Sequence, residues 1–513
     1  MRLSKRIVSS LVVTTILAVV VNPTVAEDDS IVTYGFCDDD ARTLPAEQTS
    51  LSSLEYNKFY KLCPGLHQHS NGDGTILPLG QPRCGDNSNF SFFATRPASG
   101  PPTKDSQEDE DDDGETHEKI IIELGGGGAC WDGNTCGLVS SNLAFPADLN
   151  SYVGMSCATL ASVGMNLMCS KTIANIDLSE YNYIFIPYCT QDVHLGDATP
   201  SEYGVQHVGG HNLYRTLSWI FENFPNPQHI IITGCSAGAT PLPVVYDLIN
   251  RHYQNVASSS SSSSTTAAGS GGGVVNKDVP IDVIADSSVF LTPKNFLDNY
   301  ISNWKLDTIL DKIEFEFDAV RTNFSSVAIV DHVLDRSKST DDLVYTFHDA
   351  DQTSQYFYKL MNATSTSPTL FGDDAGSSRR LRPSSTLTTT AAGGYSFPMM
   401  DHHAGSIAPT NLHRGLNGDD FQSQWLSELT NGVALAGVGH SNFHVYFMNG
   451  TDHCDYSLNV PLKYNGFEAW VSTFLHDDLT ASPTSVPTNK PTTAPTPTKK
   501  APPKTKKPNS KPK

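Results

Sequence analysis

The chain has 513 residues, of which 34 are basic and 55 acidic, and its formal net charge is −21. A surface this acidic repels nucleic acid and anionic membranes at ordinary salt, so the composition argues against a nucleic-acid-binding protein. The length is large for one domain but acceptable when low-complexity stretches are counted as insertions.

The first 26 residues are predicted to form a secretory signal peptide. Arg2, Lys5 and Arg6 precede an apolar run over residues 7–21, and small residues at 24–26 offer a cleavage site. The run is short for a membrane span and nothing comparable follows it. We therefore expect a secreted, extracellular protein without a stable membrane span.

The cysteines and glycosylation sequons agree with secretion. Ten cysteines, an even number without a C-x-x-C pair, predict disulfides rather than a metal site. Cys235 is a candidate for a buried free thiol. Four Asn-x-Ser/Thr sequons predict glycans, at Asn89, Asn323, Asn362 and Asn449.

Composition divides the mature chain into a body over residues 27–478 and a tail over 479–513. The tail is rich in proline, threonine and lysine and has no aromatic residue, so we expect it to be disordered. Its lysines could contact anionic wall material. Three low-complexity stretches within the body are predicted surface insertions, at 105–118, 258–273 and 364–394.

The predicted elements of the body alternate between short apolar strands and helices. An amphipathic pattern predicts a helix over 210–224, and strands are predicted at 119–124, 183–186, 230–232, 279–285, 343–347 and 445–447. This alternation predicts the α/β class, with a mostly parallel central sheet and helices on both faces of a single large domain. An α/β-hydrolase-like fold is of this type.

A G-x-S-x-G motif directly follows the strand predicted at 230–232. Gly234 and Gly238 flank Ser236, and this context lets a serine sit on a sharp strand-to-helix turn with its hydroxyl exposed. The glycines suit the turn because neighbouring backbone leaves little room for a Cβ. Ser236 is therefore a candidate nucleophile.

A glycine-rich loop follows the strand predicted at 119–124. Its four glycines, 125–128, leave backbone N–H groups unobstructed, as the oxyanion site of an α/β-hydrolase requires. No Lys-Ser/Thr follows them, so a Walker-type phosphate loop is disfavoured.

A serine nucleophile needs a histidine base and an acid that orients the histidine, in the chain order Ser, acid, His. The residues alone leave several candidates for each role. Those for the base are His440, His444 and His453, and those for the acid are Asp286, Asp349 and Asp351.

Together these motifs resemble the pectin acetylesterase and Notum family of secreted carboxylesterases. The resemblance extends over residues 84–475 with interruptions. It rests on the strings 125–127, 187–194, 234–239, 285–287, 349–352 and 450–453. Some relatives carry an aromatic residue in the glycine loop, where this chain has Gly128-Ala129, so the acyl pocket is expected to differ.

The resemblance assigns roles to individual residues. It makes Ser236 the nucleophile, Asp349 the acid and His453 the base, and implies oxyanion donors at Gly127, Gly128 and Ala237. It implies disulfides Cys84–Cys189 and Cys130–Cys136. It also implies that Trp131, Asp192 and His194 flank the substrate, and that Asp286 is either structural or substrate-flanking. It implies no metal and no cofactor.

The predicted function is a secreted serine carboxylesterase that removes acetyl or other acyl esters from a cell-wall or extracellular polysaccharide. The resemblance also covers deacylation of a protein, and the fold permits a lipase or peptidase. An alternative from another class is a wall-binding or adhesive protein on a hydrolase scaffold, with the lysine-rich tail making the contact.

Overall fold

The computed structural model describes most of residues 50–64, 79–97, 118–138, 172–261, 279–315, 326–366 and 418–448, together with His453, Cys454 and Trp470. The chain divides into two units, residues 1–475 and 476–513, and all described residues lie in the first. The predicted signal peptide and tail lie outside the described residues.

An eight-stranded sheet forms the centre of the described part, in the order β1-β2-β6-β3-β7-β8-β9-β10. The six strands from β6 to β10 in this order run parallel, whereas β1 and β2 pair antiparallel at one edge. A separate antiparallel pair joins β4 to β5. The strands are β1 (Phe59–Leu62), β2 (Phe92–Thr95), β3 (Lys119–Leu124), β4 (Thr172–Ile173), β5 (Ile176–Asp177), β6 (Tyr181–Ile186), β7 (His229–Cys235), β8 (Ile281–Asp286), β9 (Leu343–His348) and β10 (Phe443–Met448).

The central strands are apolar on both faces because both faces are covered. Ile120 and Ile122 of β3 belong to the main core cluster, and the intervening Ile121 points the other way and is equally buried. The triple isoleucine of β7 repeats this pattern and pairs in register with that of β3. The predicted mostly parallel α/β sheet is confirmed.

Eight helices are described: α1 (Gly133–Leu138), α2 (Gly209–Asn223), α3 (Leu242–Ser261), α4 (Ser302–Trp304), α5 (Leu306–Lys312), α6 (Ser326–Leu334), α7 (Gln352–Thr366) and α8 (Gly418–Ala436). The helix predicted over 210–224 corresponds to α2. Leu213 and Leu217 of α2 and Val245 and Ile249 of α3 join the sheet in one apolar cluster. None of the described helices is long and apolar enough to cross a membrane.

At two of the predicted insertions, a helix continues past the residue at which we predicted a loop to begin. Helix α3 extends into the serine run and ends at Ser261, and α7 ends at Thr366. Both helices therefore enter segments that we predicted to be loops from 258 and 364. Only Glu118 of the acidic stretch at 105–118 is described, and the remaining residues of all three insertions lie outside the described part.

Candidate active site

Ser236 lies on a sharp turn between β7 and α3. Its φ is +56°, in the left-handed region that non-glycine residues rarely adopt, and the turn continues as a single 3-10 turn to Gly238. A Cβ at Gly238 would lie 2.1 Å from the carbonyl oxygen of Leu124, so only glycine fits there. Pro243 is the second residue of α3, where its missing N–H costs no hydrogen bond.

The glycine loop after β3 packs directly against this turn. A Cβ at Gly126 would lie 2.4 Å from the carbonyl oxygen of Cys235, so the close approach of the two segments requires glycine. Gly127 and Gly128 both have positive φ, at 147° and 79°. Gly128 and Ala237 line the same cavity as Ser236, which brings two of the three expected oxyanion donors to the serine.

His453 contacts Asp351, one of the three acid candidates, and the acid that the resemblance implies, Asp349, lies two positions earlier. The Nδ1 atom of His453 lies 2.7 Å from Oδ2 of Asp351, which is buried just before α7. Asp349 directly follows β9, and its N–H continues the ladder to β10 by donating to the carbonyl oxygen of Met448. The chain turns at 349–350, and this turn carries the next carboxylate, Asp351, towards His453.

The first turn of α7 holds the carboxylate of Asp351 in place. The N–H of Ser354 donates to its Oδ1 at 3.0 Å and the Ser354 hydroxyl to its Oδ2 at 2.7 Å. Burial by itself would raise the pKa of Asp351, but the charge and hydrogen bond of His453 and the bonds from Ser354 hold that pKa below its usual value. The carboxylate is therefore ionised at neutral pH and orients His453 with its Nδ1–H.

The other candidate histidines have different partners. His444 lies on β10, with its Nε2 2.9 Å from Oδ1 of Asp342, and His440 lies 3.6 Å from Asp335. Of the three histidines that the residues left open, only His453 is brought to an acid candidate.

A disulfide joins Cys235, directly before Ser236, to Cys454, directly after His453. The prediction that Cys235 is a free thiol is therefore wrong. A ring nitrogen of His453 lies within 4.8 Å of both sulfur atoms. The serine and the histidine are thus neighbours of one covalent link, although 217 positions separate them in the chain numbering.

Asp286 is buried at the end of β8 and does not line the cavity. Its Oδ1 accepts hydrogen bonds from the hydroxyl groups of Thr346 at 2.8 Å and Ser287 at 3.1 Å. Burial raises its pKa, against the lowering effect of these bonds and of the nearby His348 and His453. Of the two roles that the resemblance left for Asp286, the geometry fits the structural one.

Asp192 and His194 are also buried, and neither lines the cavity. Asp192 accepts from the Gly209 N–H at 2.7 Å and from the Thr190 hydroxyl at 2.6 Å. The Nε2 atom of His194 lies 2.8 Å from the carbonyl oxygen of Gly125. Burial lowers the pKa of His194, so its ring is neutral and donates this bond through Nε2–H.

An open cavity of about 770 Å³ lies beside Ser236. Its wall is formed mainly by large apolar side chains, including Trp131, Phe296, Trp304, Phe357 and Met361. Trp131 and Phe296 meet edge to face, with their ring centroids 4.8 Å apart. Of the four residues considered as substrate-flanking, only Trp131 therefore lines the cavity.

Both disulfides implied by the resemblance are present, Cys84–Cys189 and Cys130–Cys136. In the described part of the chain, two groups of side chains are close enough to hold a metal ion: Cys130, Cys136 and His207, and Cys235, His453 and Cys454. The cysteines of both groups are in disulfides and so offer no thiolate, the form in which cysteine binds zinc.

The sheet order and the serine turn define an α/β-hydrolase-like protein. Residues 110–266, which contain both the glycine loop and the serine turn, match the family model of pectinacetylesterases. A search of curated proteins found no match. Among solved structures, the Wnt deacylase Notum from Drosophila is similar with 13% identity and a TM-score of 0.36, over 72% of this chain and 82% of that chain.

Proposed function

We propose that the protein is a carboxylic-ester hydrolase that works through an acyl-enzyme on Ser236. The Ser236 hydroxyl attacks the ester carbonyl while His453 takes its proton, and the alcohol leaves with a proton returned by His453. Water, deprotonated by His453, then attacks the acyl-enzyme and releases the carboxylic acid. Asp351 keeps His453 in the tautomer that presents Nε2 as the base.

One observation carries this proposal: the Cys235–Cys454 disulfide and the His453–Asp351 bond hold the segments that contain Ser236, Asp351 and His453 next to one another. Backbone N–H groups of Gly128 and Ala237 lie at the cavity beside Ser236 and, with Gly127, are the proposed donors to the oxyanion. The family match to pectinacetylesterases supports ester chemistry.

We propose an O-acetylated extracellular or cell-wall polysaccharide as the substrate. The predicted signal peptide, the disulfides and the family match support this substrate and a secreted location. The tail at 479–513, with its eight lysines, is proposed to contact anionic wall material.

The cavity favours a second candidate, the hydrolysis of esters with longer acyl chains. The aromatic and aliphatic wall of the cavity suits an alkyl chain longer than an acetyl group. A protein or lipid deacylase would use the cavity in this way.

Turnover of p-nitrophenyl esters from acetate to decanoate tests both candidates, with acetate release from a panel of acetylated polysaccharides as the second assay. The polysaccharide proposal predicts acetate release and the highest kcat/KM for the acetyl ester. The longer-acyl candidate predicts the highest kcat/KM for an ester with an acyl chain longer than acetate.

The matched control is Ser236→Ala, which should lose about 10⁶-fold in kcat and fall to background. A serine-directed fluorophosphonate should label the wild type at Ser236 and leave the variant unlabelled. Equal turnover by the two proteins would overturn the esterase assignment.

A further inference from the structure

We propose that the Cys235–Cys454 disulfide positions the base His453 against Ser236, so that a reducing agent reversibly stops the reaction. This inference rests on the proposed function. It assigns Cys235 and Cys454 a positioning role rather than a contact with substrate.

The position of the link in the sequence is the first argument. Cys235 precedes the nucleophile by one residue and Cys454 follows the base by one residue, with their Cα atoms 5.6 Å apart. Consecutive Cα atoms are about 3.8 Å apart, so a displacement of either cysteine passes directly to the adjoining reactive residue. The ring of His453 packs within 4.8 Å of both sulfurs.

The position of the base at the edge of the sheet is the second argument. His453 follows β10, the last strand of the sheet order, which ends at Met448 and whose side chains are mostly half-exposed. The hydrogen bond to Asp351 fixes one ring nitrogen, and the disulfide fixes the adjoining residue.

The backbone at Cys454 has one further described restraint, which is weaker than a covalent bond. The Cys454 N–H donates to the Ser287 hydroxyl oxygen at 3.1 Å, and Cys454 adopts a left-handed φ of 66°. A non-glycine residue holds such a conformation only where its surroundings impose it. The disulfide is the strongest of these restraints, so its loss should release His453 from the serine turn.

The redox step is a thiol–disulfide exchange. A dithiol such as dithiothreitol supplies two electrons and two protons, becomes a cyclic disulfide, and leaves Cys235 and Cys454 as thiols. Cys454 is partly exposed, whereas Cys84 and Cys189 of another disulfide are both buried. Attack on the Cys235–Cys454 link is therefore expected at a lower dithiol concentration.

Paired variants provide the test, Cys235→Ala/Cys454→Ala against the control Cys84→Ala/Cys189→Ala. Each removes one long-range disulfide, so both should lower the unfolding temperature. Only the first should lower kcat, by about 10²-fold as expected for a misplaced catalytic group, with KM changed by less than about threefold. A kcat within threefold of the wild type in a folded Cys235→Ala/Cys454→Ala protein would overturn the proposal.

Titration of the wild type with dithiothreitol keeps the proposal testable if either variant does not fold. Activity should fall in step with reduction of Cys235–Cys454, measured by differential alkylation and peptide mapping, and should return on reoxidation. Loss of activity that follows reduction of Cys84–Cys189 instead would contradict it. Failure of the proposed function is distinct, because the oxidised wild type would then show no Ser236-dependent turnover.

Discussion

The Oδ2 atom of Asp351 lies 2.7 Å from Nδ1 of His453 and also 2.7 Å from the Ser354 hydroxyl. The carboxylate that contacts His453 is thus held by the first turn of α7, two residues beyond the acid that the resemblance indicated. Helix α7 and His453 meet at this one carboxylate, so a shift of the helix would move the hydrogen-bond partner of the imidazole.

The two neighbouring aspartates should differ sharply on substitution. Asp351→Asn removes the charge that fixes the His453 tautomer and should lower kcat by about 10⁴-fold. Asp349→Asn, the matched control, should change kcat by no more than about threefold, the scale of an ordinary surface substitution. Steady-state kinetics on p-nitrophenyl acetate checks both, and a larger loss in Asp349→Asn would return the acid role to that residue.

Removal of the His194 side-chain donor should weaken catalysis without changing the side chains that line the cavity. His194→Phe loses the hydrogen bond to the Gly125 carbonyl and loosens the glycine loop that precedes the proposed oxyanion donors. We expect kcat to fall by about 10-fold, with KM almost unchanged, because displaced donors affect mainly the transition state. The same fall in His194→Gln, which retains an N–H donor, would argue against this explanation.

The position of Ala129 allows a test of the acyl cavity. Ala129 lines the cavity wall close to Trp131, so Ala129→Phe should fill part of it. We expect kcat/KM for p-nitrophenyl decanoate to fall at least about 10-fold more than that for the acetate, since one lost methylene contact in an apolar pocket already costs about that factor. Equal losses for the two esters would show that the acyl chain does not enter this cavity.

Glu118 should make stability depend on pH between 4.5 and about 7. Burial raises its pKa from 4.5 to about 7, against the lowering effect of Arg96, which lies 3.9 Å away. The unfolded chain loses this proton first, so the contribution of Glu118 is fully present below pH 4.5 and is lost as pH rises to 7. In Glu118→Gln, thermal unfolding at several pH values should show a smaller decline over this window, and parallel curves would contradict the assignment.

The parts of the fold that depend on local patterns could be predicted from the sequence. The isoleucine runs of β3 and β7 indicate buried parallel strands because they bury both faces. The glycines around Ser236 indicate a sharp turn because a Cβ does not fit there. These signals lie within a few residues, and the structure has both features.

The partners of His453 could not be predicted, because they depend on the path of the chain between elements. Asp349 and Asp351 are the same residue type and both follow β9. Only the path of the chain between them decides which carboxylate contacts the imidazole. Similarly, no local signal separates a free Cys235 from one paired with Cys454, 219 positions away. The left-handed φ of Cys454 could not be predicted either, because the residue there is not glycine.

The contact of Gly238 with the end of β3 limits how the protein can change its substrate range. The carbonyl oxygen of Leu124 occupies the space that any side chain at position 238 would need, and Gly126 is confined in the same way by Cys235. Substitutions that alter substrate selectivity are therefore expected in the aromatic and aliphatic side chains that line the cavity. The glycines around Ser236 are expected to stay the same. Divergent descendants should differ in what they accept and keep the same geometry of attack.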